Sequence, residues 1–107
     1  MNFRNIDADT LKILLDNDEA VVIDVREPDE YAEESIPGSK LIPIVTITKK
    51  DIASFTDKKI IIHCTFGKRG SKACEKLLKE DPSLELYNLE GGITAWRDAG
   101  YPVVTKK

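Results

Sequence analysis

The sequence predicts an α/β fold in which a parallel sheet carries helices on its faces. Two patterns support this. Short β-branched runs, Val21-Val22-Ile23 and Ile60-Ile61-Ile62, alternate along the chain with amphipathic stretches of helical period. At 107 residues, 41% of them hydrophobic, the chain can bury a core without disulfides or metal, and we expect one domain over residues 1–107.

Each element has a local reason. Asp7 or Asp9 caps a first helix whose apolar stripe is Leu11, Leu14 and Leu15. Ala20 to Val25 reads as a buried strand. Pro28 opens a short acidic helical turn through Glu34, and Pro37-Gly38 has type II turn chemistry. Leu41 and Ile42 form a brief strand stopped by Pro43, and an irregular connection from Val45 to Phe55 holds a short helix near Asp51. Lys59 to Cys64 is the clearest strand. A helix follows from about Ser71 to Glu80, with Ala73, Cys74, Leu77 and Leu78 on one face and Lys72, Glu75, Lys76 and Lys79 on the other. Leu84 to Leu89 is a further strand. Gly91-Gly92 then leads into a last helix bearing Ile93 and Trp96, closed by Gly100 with Pro102 beyond it.

Composition narrows the function classes. A net charge of -3 argues against nucleic acid or an anionic membrane as a partner, so any attraction for anions must be local. The polar start from Met1 to Thr10 has no signal-peptide core, and no apolar run is long enough to cross a bilayer. The expected compartment is the reducing cytoplasm, where two cysteines are thiols rather than a bridge. One His and two Cys do not recur at ligand spacing, so neither a metal nor a cofactor is expected.

The chemistry concentrates at Cys64, the predicted end of a central strand with a helix a few residues later. In parallel sheets ligands bind beyond the carboxyl ends of the strands. Glycines at 67 and 70 let the intervening loop fold tightly, with successive N–H groups turned inward as a nest. The helix N-terminus, Lys68 and Arg69 add positive charge. A thiol ionises more readily in such surroundings, and the same groups hold an anionic substrate against the sulfur. Cys64 is therefore the candidate nucleophile, and Thr65, Phe66, Gly67, Lys68, Arg69 and Gly70 are the candidate substrate-binding residues.

This loop, with three other segments in the right order, resembles the rhodanese family across nearly the whole chain. Asp24-Val25-Arg26-Glu27-Pro28 is similar to its early strand-end signature, followed by Glu30-Tyr31 and Ile36-Pro37-Gly38. Leu89-Glu90-Gly91-Gly92 with Trp96 is similar to its closing signature. The resemblance implies a five-stranded parallel sheet flanked by helices on both faces and a cysteine that carries sulfur as a persulfide. It further implies a sulfurtransferase that moves sulfur from thiosulfate, or from a persulfide donor, to cyanide or a thiol, with Lys68 and, foremost, Arg69 receiving the sulfonate end. A persulfide carrier in a protein sulfur relay is the alternative. Phosphatases and arsenate reductases of the same fold are less favoured, because their loop has one more residue between Cys and Arg than Thr65-Phe66-Gly67-Lys68. Two departures stand out. Gly70 occupies a position where rhodaneses often have Ser, and Glu34-Ser35 replaces the usual Gly-His pair before Ile36.

Other residues read as structure. Cys74 lies on the apolar helix stripe. Strand alternation turns His63 to the sheet face opposite Cys64. Asp24 and Arg26 suit hydrogen bonding at a strand end, with Arg26 within possible reach of substrate. The Gly91-Gly92 turn reads as a close backbone approach beneath the loop. Glu27, Asp29, Glu30, Glu33 and Glu34 read as a solvated face; placed near the mouth, they would discourage anionic partners.

Overall fold

Two strands buried on both faces form the middle of the molecule, β2 (Ala20–Asp24) and β5 (Lys59–His63). Their β-branched runs suit a strand covered on either side. The computed structural model describes residues 3–55 and 57–105. With β1 (Phe3–Ile6), β4 (Lys40–Leu41) and β6 (Leu86–Leu89) they make a five-stranded sheet in the order β1-β6-β5-β2-β4. Every neighbouring pair is parallel.

Helices α1 (Ala8–Asp16) and α5 (Gly92–Asp98) cover one face. Leu11, Ile93 and Trp96 pack there on Ala20, Val22 and Ile61. Helices α3 (Lys49–Ile52) and α4 (Lys68–Glu80) cover the other. Ile52, Ala73, Cys74 and Leu77 pack there on Val21, Ile23, Ile60, Ile62 and Cys64. The short α2 (Pro28–Glu33) bridges from β2 toward β4 at the strand ends. The parallel sheet and its two helical layers are those expected from the sequence. Among the described residues no helix is long and apolar enough to cross a membrane.

Several boundaries differ from the sequence reading. Strand β1 was not expected from the pattern, because its middle residues Arg4 and Asn5 are exposed at the sheet edge and show no buried alternation. Met1 and Asn2, at the start of the stretch read as polar, lie outside the described residues. Strands β2 and β5 stop one residue short of Val25 and Cys64, and β4 begins one residue earlier than Leu41. Strand β6 begins at Leu86 rather than Leu84. Helix α4 starts at Lys68, not Ser71. Gly67 takes the N-cap position and its carbonyl accepts from Ser71 N at 3.1 Å, so Lys68, Arg69 and Gly70 form the first helical turn. A small antiparallel pair, β3 (Glu34–Ser35) with β7 (Val104–Thr105), was also unforeseen. It ties the end of the described chain to the segment after α2.

Asp24 and Arg26 are fully committed to structure. The Arg26 guanidinium donates to Asp24 through Nε at 2.9 Å and Nη2 at 2.7 Å, and Nη2 reaches the Glu34 carbonyl at 2.6 Å. Both side chains are buried, which costs desolvation that only this pairing offsets. Arg26 thus joins the end of β2 to β3, with its guanidinium engaged by Asp24 and the Glu34 carbonyl. Replacing it leaves a buried carboxylate unpaired. Arg26→Met is expected to lose about 3–5 kcal/mol of stability, read as a shifted midpoint in urea unfolding.

Candidate active site

Alternation along β5 fixes which way each side chain leaves the sheet. Ile60, Ile62 and Cys64 face α4, whereas Ile61 and His63 face the other layer. His63 is buried against Asp24, with Nε2 3.4 Å from Oδ2 and Nδ1 3.1 Å from the Cys64 carbonyl. Burial pushes the imidazole below its ordinary value, outweighing the upward pull of Asp24. At neutral pH it is an uncharged packing group on the side of the sheet away from the sulfur.

Cys64 sits just past the end of β5, at the start of the turn into α4. Its Sγ accepts hydrogen bonds from the backbone N–H of Gly67 at 3.0 Å and of Gly70 at 3.3 Å. The expected nest is therefore present around the sulfur, and its second donor belongs to the first turn of α4. The α4 dipole adds positive character at the same place. Cys74, one turn further along α4, is different. It lies inside the apolar layer with Sγ 3.9 Å from the Tyr87 carbonyl, and burial pushes its thiol up to about 12. It is a small core residue, as read from the sequence.

The loop is held from below by α5. Ile93 N donates to the Cys64 carbonyl at 2.9 Å and Thr94 N to the Thr65 carbonyl at 3.2 Å. This requires Gly92, which adopts φ +59 and whose added Cβ would lie 2.3 Å from the Cys64 oxygen and 2.5 Å from that of Thr65. The close approach expected of Gly91-Gly92 belongs to Gly92.

Gly70 has an equally concrete cause. A Cβ there would meet Asn88 Oδ1 at 2.1 Å and His63 Cα at 3.5 Å. Asn88 is buried on β6, with Nδ2 3.0 Å from Asn5 Oδ1, 3.3 Å from the Gly67 carbonyl and 3.1 Å from Ser71 Oγ. The serine expected near the sulfur is one position later, and Ser71 Oγ donates to the Gly67 carbonyl at 3.1 Å. Asn88 thus supports the loop from the neighbouring strand. A polar residue at a buried strand position was the sequence signal for it.

The charged residues are arranged less simply than expected. Lys68 is exposed, and the Phe66 side chain projects outward at 69% exposure. Arg69 does not stand open to receive an anion. Its Nη1 and Nη2 pair with the two Glu30 oxygens at 2.8 and 3.0 Å, and Nη2 also donates to Thr65 Oγ1 at 3.0 Å. The Thr65 hydroxyl in turn donates to Glu30 Oε2 at 3.3 Å. Hydrogen bonds from Arg69 hold the Glu30 carboxyl down to about 2. Part of the acidic cluster does reach the loop, where Glu30, Glu33 and Glu34 line a cleft with Thr65 and Phe66 that Arg26 and Arg97 also border. Sequence reasoning placed Glu30 on a solvated face, and only its position three residues after Glu27, in a capping box, marks it as held in place. Among the described residues no group of three or more His, Cys, Asp or Glu is placed to hold a metal ion.

Comparison with known proteins gives one consistent relationship. Residues 7–99 match the Rhodanese-like domain family. A sulfurtransferase from Allochromatium vinosum is 33% identical over 100 residues, covering 92% of this chain and 92% of its own length. The thiosulfate sulfurtransferase GlpE of Pseudoalteromonas translucida is 35% identical over 100 residues, covering 92% and 93%. The crystal structure of a rhodanese-like domain protein from Staphylococcus aureus superposes with a TM-score of 0.77 at 34% identity, covering 97% of this chain and 99% of that one.

Two measurements test the site. Gly70→Ala is expected to destabilise by about 1–3 kcal/mol through overpacking against Asn88. In a double-mutant cycle with Asn88→Ala, the combined loss should fall short of the sum of the single losses. The second concerns Glu30. Its folded value lies below its ordinary 4.5, so its contribution to stability is complete above that pH and is lost as the pH falls toward about 2. Carbon-detected NMR should find its titration near that value, moving up toward the ordinary range in Arg69→Met.

Proposed function

The chain belongs to the rhodanese-like domain family, and from that membership we propose that it is a sulfurtransferase carrying sulfane sulfur as a persulfide on Cys64. The observation that carries this reading is the pair of backbone N–H groups, from Gly67 and Gly70, that donate to Cys64 Sγ. Donors aimed at a sulfur stabilise the negative charge of a thiolate, and they remain in place for the terminal sulfur of a persulfide. The functional unit in this reading is one domain over residues 1–107, acting in the cytoplasm without a cofactor.

Transfer proceeds in two displacements. The Cys64 thiolate attacks the outer sulfur of thiosulfate or of a persulfide. The donor's sulfur–sulfur bond breaks, and sulfite or a thiolate leaves with the electron pair. In the second step cyanide or an acceptor thiolate attacks the outer sulfur of the Cys64 persulfide, and the Cys64 thiolate is released. Each step forms one bond to sulfur and breaks one, so no oxidant or reductant is consumed. His63 is buried on the opposite face, and the thiolate, held by backbone donors, acts without a general base. Thr65, Phe66, Gly67, Lys68, Arg69 and Gly70 form the substrate-binding loop.

The outward Phe66 ring beside Cys64 favours a second reading, in which the sulfur donor or acceptor is itself a protein. An exposed aromatic at a reactive centre supplies the apolar anchor such a contact uses.

Intact-mass spectrometry after incubation with thiosulfate or a small organic persulfide tests the proposal. Cys64 should gain the mass of one sulfur atom and lose it on adding cyanide, with thiocyanate released. Cys64→Ser should show neither event, and sulfur retained on that variant would refute the assignment. Loading only from a persulfidated protein donor would favour the carrier reading. Hydrolysis of an aryl phosphate that depends on Cys64 would instead point to phosphatase chemistry.

A further inference from the structure

A guanidinium recognises an oxyanion by presenting two parallel N–H groups, and that fork is the strongest small-anion receptor a side chain offers. In this protein the Arg69 fork is already filled. Glu30 occupies it with both oxygens, at 2.8 and 3.0 Å. Glu30 is itself anchored, since Oε1 accepts from Glu27 N at 2.9 Å and Oε2 from the Thr65 hydroxyl at 3.3 Å. The surroundings reinforce this. Glu33 and Glu34 line the same cleft, where Arg26 is bound to Asp24 and Arg97 is paired with Glu34. The cations on this side of the loop named here are each matched by a carboxylate.

We propose that Glu30 determines donor specificity: by occupying Arg69 it turns the Cys64 loop away from the dianion thiosulfate and toward organic persulfides. The proposal rests on Cys64 carrying sulfur and adds which donor class loads it. A persulfide R–S–SH needs no sulfonate receptor. The Cys64 thiolate attacks its outer sulfur, the S–S bond breaks, and R–S⁻ leaves with the electron pair, taking up the proton that the outer sulfur carried. The products are the thiol R–SH and the anionic Cys64 persulfide, which the Gly67 and Gly70 N–H groups hold. Thiosulfate carries two negative charges, and at Arg69 its sulfonate would meet a carboxylate where it needs a receptor.

Glu30→Gln tests this, because it removes the charge while keeping an oxygen that can accept from Glu27 N. The rate at which Cys64 gains sulfur is measured by mass spectrometry as a function of donor concentration. The donors are thiosulfate and the persulfide of 2-mercaptoethanol, whose organic group is uncharged. The variant's loading efficiency with thiosulfate relative to the persulfide should rise about tenfold, through a lower half-saturating thiosulfate concentration rather than a higher limiting rate. A merely structural role would scale both donors alike and leave the ratio where it was. An unchanged or lowered ratio therefore overturns the proposal while the Cys64 reading stands. If neither donor loads Cys64 in wild type or variant, the proposal falls, and the Cys64 reading falls with it when a persulfidated protein donor also fails to load.

Discussion

The backbone of the Cys64 loop depends on how α5 grips two carbonyl groups. In a trans peptide the carbonyl and the following N–H point in opposite directions. By binding the carbonyls of Cys64 and Thr65 from below, Ile93 and Thr94 direct the next two amide N–H groups away from α5. This fixes the backbone of Cys64 and Thr65, the start of the turn whose Gly67 and Gly70 N–H groups donate to the sulfur. Such preorganisation is what makes a backbone anion site effective, because no dipole has to turn at the moment of reaction. The grip exists only because Gly92 has no side chain, so a residue outside the loop decides whether the loop can work.

The remaining supports converge on the same few atoms from different layers. Helix α4 contributes its first turn, with Gly70 N on the sulfur. Strand β6 contributes Asn88, which props the Gly67 carbonyl. Helix α2 contributes Glu30, which holds Arg69 and Thr65. The pair of Asp24 and Arg26 anchors the chain leading into α2 and so sets where Glu30 stands. Residues as distant in sequence as Glu30 and Asn88 thus meet on one short loop. A rigid scaffold with function concentrated at its loops is the usual division of labour in parallel α/β folds.

Much of this was legible in the chain itself. The β-branched runs gave the central strands, and simple alternation put Cys64 and His63 on opposite faces. The glycines after Cys64 marked a tight turn with N–H groups on the sulfur, and the apolar stripe placed Cys74 in the core. Other features leave no trace in the sequence, for physical reasons. Phe3–Ile6 pairs along one edge only, so its exposed centre carries no buried pattern. The start of α4 was hidden because a glycine and two cations look like a loop, whereas the positive φ of Gly67 lets them begin a helix. The pairing of Glu30 is not legible because an ion pair across thirty-nine residues leaves no local trace. Gly70 was visible as a departure, but its cause lies on another strand and appears only in three dimensions.

That last contact constrains the order in which the sequence can change. A side chain at position 70 and the asparagine at position 88 compete for one volume, where an added Cβ would stand 2.1 Å from the amide oxygen. A lineage moving toward a serine beside the sulfur would first have to shrink residue 88, giving up the bridge to Asn5 and Ser71. The reverse order passes through a strained intermediate. The two positions therefore form a single heritable unit spanning helix and sheet, and whichever hydroxyl serves this loop is decided as much by β6 as by the loop itself.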